Sequence, residues 1–288
     1  MHVPIDLSAG ASRLTIDPGD AGRLTSFIAG GAERLVTAPP SGTPPEEVPF
    51  LWGTYLMAPW AGRLAGNRLE WDGQTYDFPV NFRTWAIHGL VLHAPWSVEG
   101  ADESSASLSC SLDDTPWPFG GTVRQRMALG ERSLELSAEA TAGERSMPVS
   151  MGWHPWFRRP DRGDVSILAT SDNVLELDGD SVPTGKETPV EGDKDLRSGP
   201  PIGARRLDDV YTQASAPAFA RWPDLELRID WNRPIETLVI HTPEGGFCVE
   251  PQTGWPNAPA LEGAGIRGTG LIVLEAGATA GVSTTWTW

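Results

Sequence analysis

Glycine and proline are scattered along the whole chain, and this distribution limits what the chain can fold into. The 288 residues include 32 glycines and 26 prolines, which interrupt the sequence at short intervals. Both residues are disfavoured inside helices, and few stretches of about 10–15 residues keep a helical pattern between interruptions. Short strands joined by turns fit this spacing much better. The distribution therefore predicts an all-β protein.

Several segments alternate apolar and polar residues, as strands with one buried face do. Residues 225–231 and 106–112 show the pattern most clearly. Residues 123–129 and 134–140 flank a Gly-Glu turn and predict a hairpin. Further strands are predicted at residues 174–177, 238–241, 247–249 and 271–274. Many short strands with turns between them indicate a large antiparallel β-sandwich, and the uniform pattern favours one domain over residues 1–288.

Two stretches rich in proline, residues 38–49 and 183–206, are predicted as long surface loops. Gly263, Gly265 and Gly268 form a G-x-G-x-x-G string. In dinucleotide-binding folds this string follows a strand and opens a helix, whereas here a strand-like segment follows it. We therefore assign the string no cofactor role.

The charge balance excludes several classes of partner. Lysine and arginine total 22 against 38 acidic residues, for a net charge of −16. This is the wrong sign for binding nucleic acid or an anionic membrane. The sequence lacks the basic and apolar regions of a signal peptide and has no membrane-length apolar run. We expect a cytoplasmic protein with neither a nucleic-acid nor a membrane partner.

The chain has two cysteines, Cys110 and Cys248. They show neither Cys-x-x-Cys nor cysteine/histidine ligand spacing, so no zinc site is expected from sequence. Both lie in apolar stretches and are predicted to be buried free thiols.

Tryptophan is unusually common, with 13 residues against three tyrosines. An indole ring offers a flat apolar face for a sugar and an N–H for a hydroxyl. Most of these rings are expected to fill the core of the sandwich. Trp153, Trp156 and Trp255 lie beside chemically reactive residue types and are the candidates for sugar contact.

His154 and Glu250 share an unusual setting, because a proline follows each of them directly. Proline interrupts regular strand pairing, so both residues are predicted to stand at strand ends, where sites are often built. Burial there would raise the pKa of the Glu250 carboxyl and make it a better base. An imidazole, a carboxylate and nearby indoles together suggest acid/base chemistry on a carbohydrate.

Six sequence blocks in order make the chain similar to the aldose 1-epimerase (galactose mutarotase) family. They are PWAGRL at 59–64, LEWDG at 69–73 with Tyr76 and Pro79, IHGL at 87–90 with Trp96, GWHPWF at 152–157, LDDVY at 207–211 and VEPQT at 249–253. Each block alone is weak, whereas their order along the chain is specific. The resemblance implies a galactose mutarotase-like β-supersandwich with an open cleft, no metal and no cofactor.

The resemblance also implies roles for five residues. Glu250 matches the general base and His154 the general acid. His88 matches a second histidine that holds the sugar ring. Arg63 and Asp208 match groups that bond sugar hydroxyls, and a carboxylate such as Asp208 near His154 would favour its protonated form.

The chain departs from the family pattern at two positions. Gly62 stands where an asparagine usually precedes the arginine, and this bears on sugar preference. His93 stands where many relatives carry arginine, and this bears on phosphate binding.

These observations predict an isomerase that interconverts the α- and β-anomers of a free aldohexose. One alternative is a hexose-6-phosphate mutarotase of the same fold, which would need a basic cluster for the phosphate. Another is a non-catalytic sugar-binding module, and a third is a metal-dependent enzyme using His88, His93 and His154, whose spacing fits no common zinc motif. The candidates for a phosphate clamp are Arg63, Arg83, Arg158 and Arg159.

Overall fold

A computed structural model describes residues 3–288, which form 23 strands, one short α-helix and five 3₁₀ turns. The strands are β1 (Ile5–Ala9), β2 (Ser12–Asp17), β3 (Arg23–Ala29), β4 (Ala32–Glu33), β5 (Thr54–Met57), β6 (Arg68–Trp71), β7 (Gln74–Asp77), β8 (Ser97–Ala101), β9 (Ser105–Ser111), β10 (Gly121–Gly130), β11 (Ser133–Ala142), β12 (Met147–Val149), β13 (Gly152–Pro155), β14 (Ser166–Thr170), β15 (Asn173–Leu177), β16 (Pro183–Pro189), β17 (Asp208–Thr212), β18 (Ser215–Arg221), β19 (Glu226–Trp231), β20 (Thr237–His241), β21 (Cys248–Gln252), β22 (Ile272–Leu274) and β23 (Thr279–Thr287). The helix is α1 (Ala258–Gly263), and the 3₁₀ turns are Val48–Phe50, Ala65–Asn67, Val91–His93, Leu112–Asp114 and Gly192–Lys194.

Two large sheets carry most of the strands. The first has the order β1-β2-β3-β5-β13-β21-β20-β17-β15-β16, with β4 beside β3. The second has the order β14-β18-β19-β23-β11-β10-β9-β8, and two hairpin-sized sheets pair β12 with β22 and β6 with β7. Buried residues of both large sheets belong to one hydrophobic cluster. The predicted large antiparallel β-sandwich is confirmed, and the single domain stays a prediction.

The apolar alternation in the sequence corresponds to real strands. β10 and β11 form the predicted hairpin, closed by the pair Gly130 and Ser133. Buried and exposed side chains alternate along β9, β11 and β19, as one-sided burial requires. Strand existence was therefore readable from period-two patterning.

The two predicted loops have different outcomes. Residues 38–49 form turns and the start of a 3₁₀ turn, as expected for a loop. Residues 183–206 are not a loop throughout, because β16 occupies Pro183–Pro189 and pairs with β15. β16 is the last strand of its sheet, and an edge strand tolerates the polar residues and prolines that suggested a loop.

Cys110 in β9 and Cys248 in β21 are buried free thiols, as predicted. Among residues 3–288, no helix is long and apolar enough to span a membrane.

Candidate active site

The centre of the first sheet contains an opening between two neighbouring strands, β13 and β21. The strands pair at Gly152 and Gln252. They pair again just beyond β13, where the amides of Phe157 and Phe247 donate to each other's carbonyls at 2.8 and 2.9 Å. Between these points, residues 153–156 and 248–251 form no ladder pair with each other. The opening is therefore local and closed at both ends.

Two prolines account for this opening. Strand amides alternate in direction, and those of Phe157 and Thr253 point across the gap to carbonyls of the opposite strand. Pro155 and Pro251 lie two residues from them and face the same gap, but proline has no amide hydrogen to donate. The predicted interruption of pairing is thus present. The predicted strand end holds for His154, because β13 ends at Pro155, but not for Glu250, which lies in the middle of β21.

His154 and Glu250 face each other across the opening. The pairs Gly152–Gln252 and Phe157–Phe247, which close the opening, share one strand register. This register places residue 154 opposite residue 250. His154 Nε2 lies 3.4 Å from Glu250 Oε1, and both side chains are almost completely buried. The structure therefore brings together the two residues proposed as acid and base, which are 96 positions apart in the sequence.

A cavity of about 360 Å³ lies against this pair, a size typical of small-molecule sites. Its wall combines apolar rings with ionisable groups. The lining includes Phe50, Tyr55, Phe82, Trp156, Arg63, Arg83, His88, His154, Asp208, His241, Glu250 and Gln252. All five residues predicted for the site are among them.

His88 is held in one orientation by the backbone of residue 62. The His88 amide donates to the Gly62 carbonyl at 3.0 Å, and the Gly62 amide donates to His88 Nδ1 at 3.2 Å. Because Nδ1 accepts, the ring hydrogen lies on Nε2, where it is a donor. Burial lowers the pKa of His88 to about 3, so the ring is neutral. Gly89 follows at φ +77, and a Cβ there would lie 1.9 Å from the Ala58 carbonyl oxygen.

The two departures from the family pattern have simple structural settings. Gly62 has φ +73, and a Cβ would lie 2.4 Å from Pro256, so no side chain fits there. His93 lines a different cavity, and its ring lies 5.5 Å from the ring of Phe50 between centroids. His93 therefore does not join His88 and His154, and its position carries no argument about phosphate in this cavity.

Asp208 lies between Arg63 and His241 at the cavity wall. Its Oδ2 lies 3.7 Å from an Arg63 guanidinium nitrogen, and its Oδ1 lies 3.5 Å from His241 Nδ1. Asp208 and His241 are direct cross-strand partners on β17 and β20. The carboxylate beside His154 is consequently Glu250 and not Asp208.

His241 is a cavity residue that the sequence analysis missed. It ends the apolar run Leu-Val-Ile-His, just as Glu250 ends Phe-Cys-Val-Glu. This shared pattern was the available signal. Burial lowers the pKa of His241, and the Asp208 carboxylate opposes that shift.

Only one of the three candidate tryptophans lines the cavity. The Trp156 ring lies nearly parallel to the His154 ring, at 5.6 Å between centroids, and its indole nitrogen donates to the Phe50 carbonyl at 2.7 Å. Trp153 and Trp255 are buried and are not among the residues that line this cavity. The Tyr55 ring stacks on the His154 ring with 4.9 Å between the ring centroids, a contact that no sequence pattern indicated.

Burial controls the protonation of the central pair. It raises the pKa of Glu250 well above the ordinary value, with the nearby Asp208 charge adding to the effect and Arg63 opposing it. It lowers the pKa of His154 well below the ordinary value, and His88 and His241 add to that shift. Burial therefore favours the neutral form of both groups, which together carry one exchangeable proton, on Glu250. Burial thus opposes the protonated form of His154 that the proposed role as an acid requires.

The four arginines considered for a phosphate clamp are all engaged. Arg63 faces Asp208, and Arg83 donates twice to Glu47 at 3.1 Å. Arg158 and Arg159 line a separate cavity. There Arg158 pairs with an aspartate and Arg159 donates to three backbone carbonyls.

Comparisons with known proteins agree with this fold. The family model for aldose 1-epimerase matches residues 30–287. YihR, an uncharacterised protein of Escherichia coli (strain K12), is 24% identical over 95% of this chain and 89% of its own length. The galactose mutarotase of Rattus norvegicus is 27% identical over 50% of this chain and 44% of its own. A galactose mutarotase-like protein of Clostridium acetobutylicum superposes with a TM-score of 0.84 at 18% identity, covering 99% of this chain and 94% of that one.

Proposed function

The chain belongs to the aldose 1-epimerase family, and on that premise we propose that it is a mutarotase that interconverts the α- and β-anomers of a free aldohexose. One observation carries the proposal: a buried carboxylate and a buried imidazole face each other 3.4 Å apart beside a sugar-sized cavity. A sugar-binding module would have no need of this pair. In line with the sequence, the activity is proposed for the cytoplasm.

The reaction needs one base and one acid at the anomeric centre. Glu250 takes the proton of the C1 hydroxyl while His154 gives a proton to the ring oxygen, and the C1–O5 bond breaks to leave the open-chain aldehyde. Rotation about C1–C2 presents the other face of the carbonyl. The O5 hydroxyl then attacks C1, returns its proton to His154, and C1 oxygen recovers a proton from Glu250.

The number of protons on the pair fits this cycle. The reactive arrangement, with Glu250 ionised and His154 protonated, contains the same single proton as the neutral pair that burial favours. It is reached by moving that proton between two groups 3.4 Å apart, without exchange with solvent. A raised pKa makes Glu250 a stronger base, and a lowered pKa makes protonated His154 a stronger acid.

The other cavity residues suit the binding of a neutral sugar. His88 offers an oriented Nε2 donor, while Arg63 and Asp208 offer a donor and an acceptor for hydroxyls. Trp156 supplies an apolar ring beside His154. We infer that these residues hold the ring so that C1 and O5 lie between the acid and the base.

Charge pairing favours a free sugar over a phosphorylated one. Both arginines that line the cavity face carboxylates, Arg63 facing Asp208 and Arg83 facing Glu47. A phosphate would have to displace one of these carboxylates to gain its own charge-assisted hydrogen bonds. We therefore propose that glucose or galactose is a better substrate than a hexose 6-phosphate.

Two-dimensional NMR exchange between anomers tests this preference. Glucose, galactose and glucose 6-phosphate would be compared at equal concentration and equal protein. We expect faster protein-dependent exchange for a free sugar. A preference of about tenfold or more for glucose 6-phosphate, equivalent to about 1.4 kcal/mol, would replace the proposal with the phosphorylated-sugar alternative.

A further inference from the structure

A third chemically reactive side chain lies beside the catalytic pair and has no part in the proposed reaction. Cys248 is two residues from Glu250 on β21, so both side chains lie on the same face of the sheet. One ligand atom each from His154, Cys248 and Glu250 lies within 4.8 Å of the other two. The thiol is fully buried, and Cys248 is not among the residues that line the cavity.

These three donors match the preferences of a borderline-soft divalent cation. Zinc binds imidazole nitrogen, thiolate sulfur and carboxylate oxygen, whereas magnesium and calcium prefer oxygen alone. A tetrahedral zinc with bonds of about 2.0–2.2 Å places neighbouring donor atoms about 3.3–3.6 Å apart. The distance of 3.4 Å between His154 Nε2 and Glu250 Oε1 already has this length. With a zinc–sulfur bond of about 2.3 Å, the sulfur must come within about 3.5–3.7 Å of the other two donor atoms, an approach of about 1.3 Å at most.

We propose that His154, Cys248 and Glu250 form an inhibitory binding site for Zn²⁺ in the floor of the sugar cavity, a regulation that rests on the proposed mutarotase function. The ion reaches His154 and Glu250 through the cavity they line. Its fourth position points to the cavity and holds water. On binding, the thiol and the pair release their protons to solvent, and no bond to carbon forms or breaks.

Zinc at this site blocks the reaction in two ways. It occupies the lone pairs that His154 and Glu250 need for proton transfer. It also occupies the space where C1 and O5 of the sugar would lie, so metal and sugar exclude each other. Inhibition is therefore competitive and is reversed by a chelator.

The first test compares zinc inhibition of three proteins. Cys248→Ala removes the sulfur ligand and leaves the proposed acid and base in place. Cys110→Ala is the matched control, because Cys110 is the other buried thiol and lies in the second sheet. Loss of one ligand should raise the inhibition constant by about tenfold or more in Cys248→Ala and leave it unchanged in Cys110→Ala. Equal inhibition of all three proteins would overturn the site.

The second test needs no enzymatic activity, so it separates failure of the site from failure of the proposed function. Cobalt(II) is added to the wild-type protein and to both variants, and the near-ultraviolet spectrum is recorded. We expect a thiolate-to-cobalt charge-transfer band in wild type and Cys110→Ala, and its loss in Cys248→Ala. Absence of the band from folded wild-type protein, or its persistence in Cys248→Ala, would refute the proposal. If Cys248→Ala does not fold, the spectra of wild type and Cys110→Ala still decide, because a band that persists in Cys110→Ala comes from Cys248.

Discussion

Replacing Glu250 with glutamine removes the proposed base while keeping the shape of the side chain. Glu250 is 2% exposed, and its Oε1 lies 3.4 Å from His154 Nε2. The amide cannot take the C1 hydroxyl proton. One positioned acid/base group typically contributes about 10²–10⁴ in rate, or about 2.7–5.4 kcal/mol of transition-state stabilisation. We expect Glu250→Gln to lose mutarotation by this factor.

The same substitution should have the opposite effect on stability. In the unfolded chain the Glu250 carboxyl ionises near its ordinary pKa, whereas burial raises the pKa in the folded protein. Folding therefore binds a proton between these two values, and wild-type stability falls as pH rises through this window. Glutamine does not titrate. Glu250→Gln should thus be stabilised relative to wild type at pH values above the ordinary pKa, and least so below it.

The assay combines polarimetry with melting curves at acidic and at mildly alkaline pH. Glu135→Gln is the matched control, because Glu135 is an exposed glutamate on β11 in the other sheet. The control should match wild type in rate. A Glu250→Gln protein that keeps most of the wild-type turnover would refute Glu250 as the base, and one that loses both activity and stability would show a structural role instead.

Other predictions follow from the protonation, polar contacts and backbone of the site. Activity needs exactly one proton on the His154/Glu250 pair, so it should fall at acid pH, below the ordinary histidine pKa, and at alkaline pH, above the ordinary glutamate pKa. A folded His154→Asn protein should lose this two-sided pH profile. A single fall centred on the ordinary histidine pKa would contradict the coupled pair. Asp208→Asn should raise KM more than it lowers kcat in steady-state kinetics, because Asp208 faces Arg63 at the cavity wall and does not contact His154. An unchanged KM would show that Asp208 does not bind the sugar. Gly89→Ala should lower the melting temperature, because its Cβ would lie 1.9 Å from the Ala58 carbonyl oxygen. Gly73→Ala has a similar φ but open space around it, and should lower the melting temperature much less. Equal decreases in melting temperature would show that φ alone matters.

Local patterning predicted the strands well because one-sided burial repeats every two residues. The β10–β11 hairpin and the buried thiols needed only this period and the turn between strands. β16 was missed because an edge strand tolerates polar residues and proline, which carry the same composition as a loop. Burial, not local composition, separates these two cases.

The site was predicted only in part, because its assembly depends on strand order. Proline after His154 and after Glu250 indicated interrupted pairing, and both prolines do face the opening between β13 and β21. The pairing of β13 with β21 depends on the order of all strands in the sheet, so it cannot be predicted from local sequence. The lowered pKa of His154 could not be read from the sequence for a similar reason, since its burial depends on the assembled sheet.

The rate of mutarotation tests the central claim most directly. Freshly dissolved α-glucose and α-galactose are followed by polarimetry with and without the wild-type protein. We predict that the rotation reaches the same final value faster, with a rate that rises in proportion to protein concentration for at least one of these sugars. A rate equal to the spontaneous one for both, with folded protein present, would contradict it.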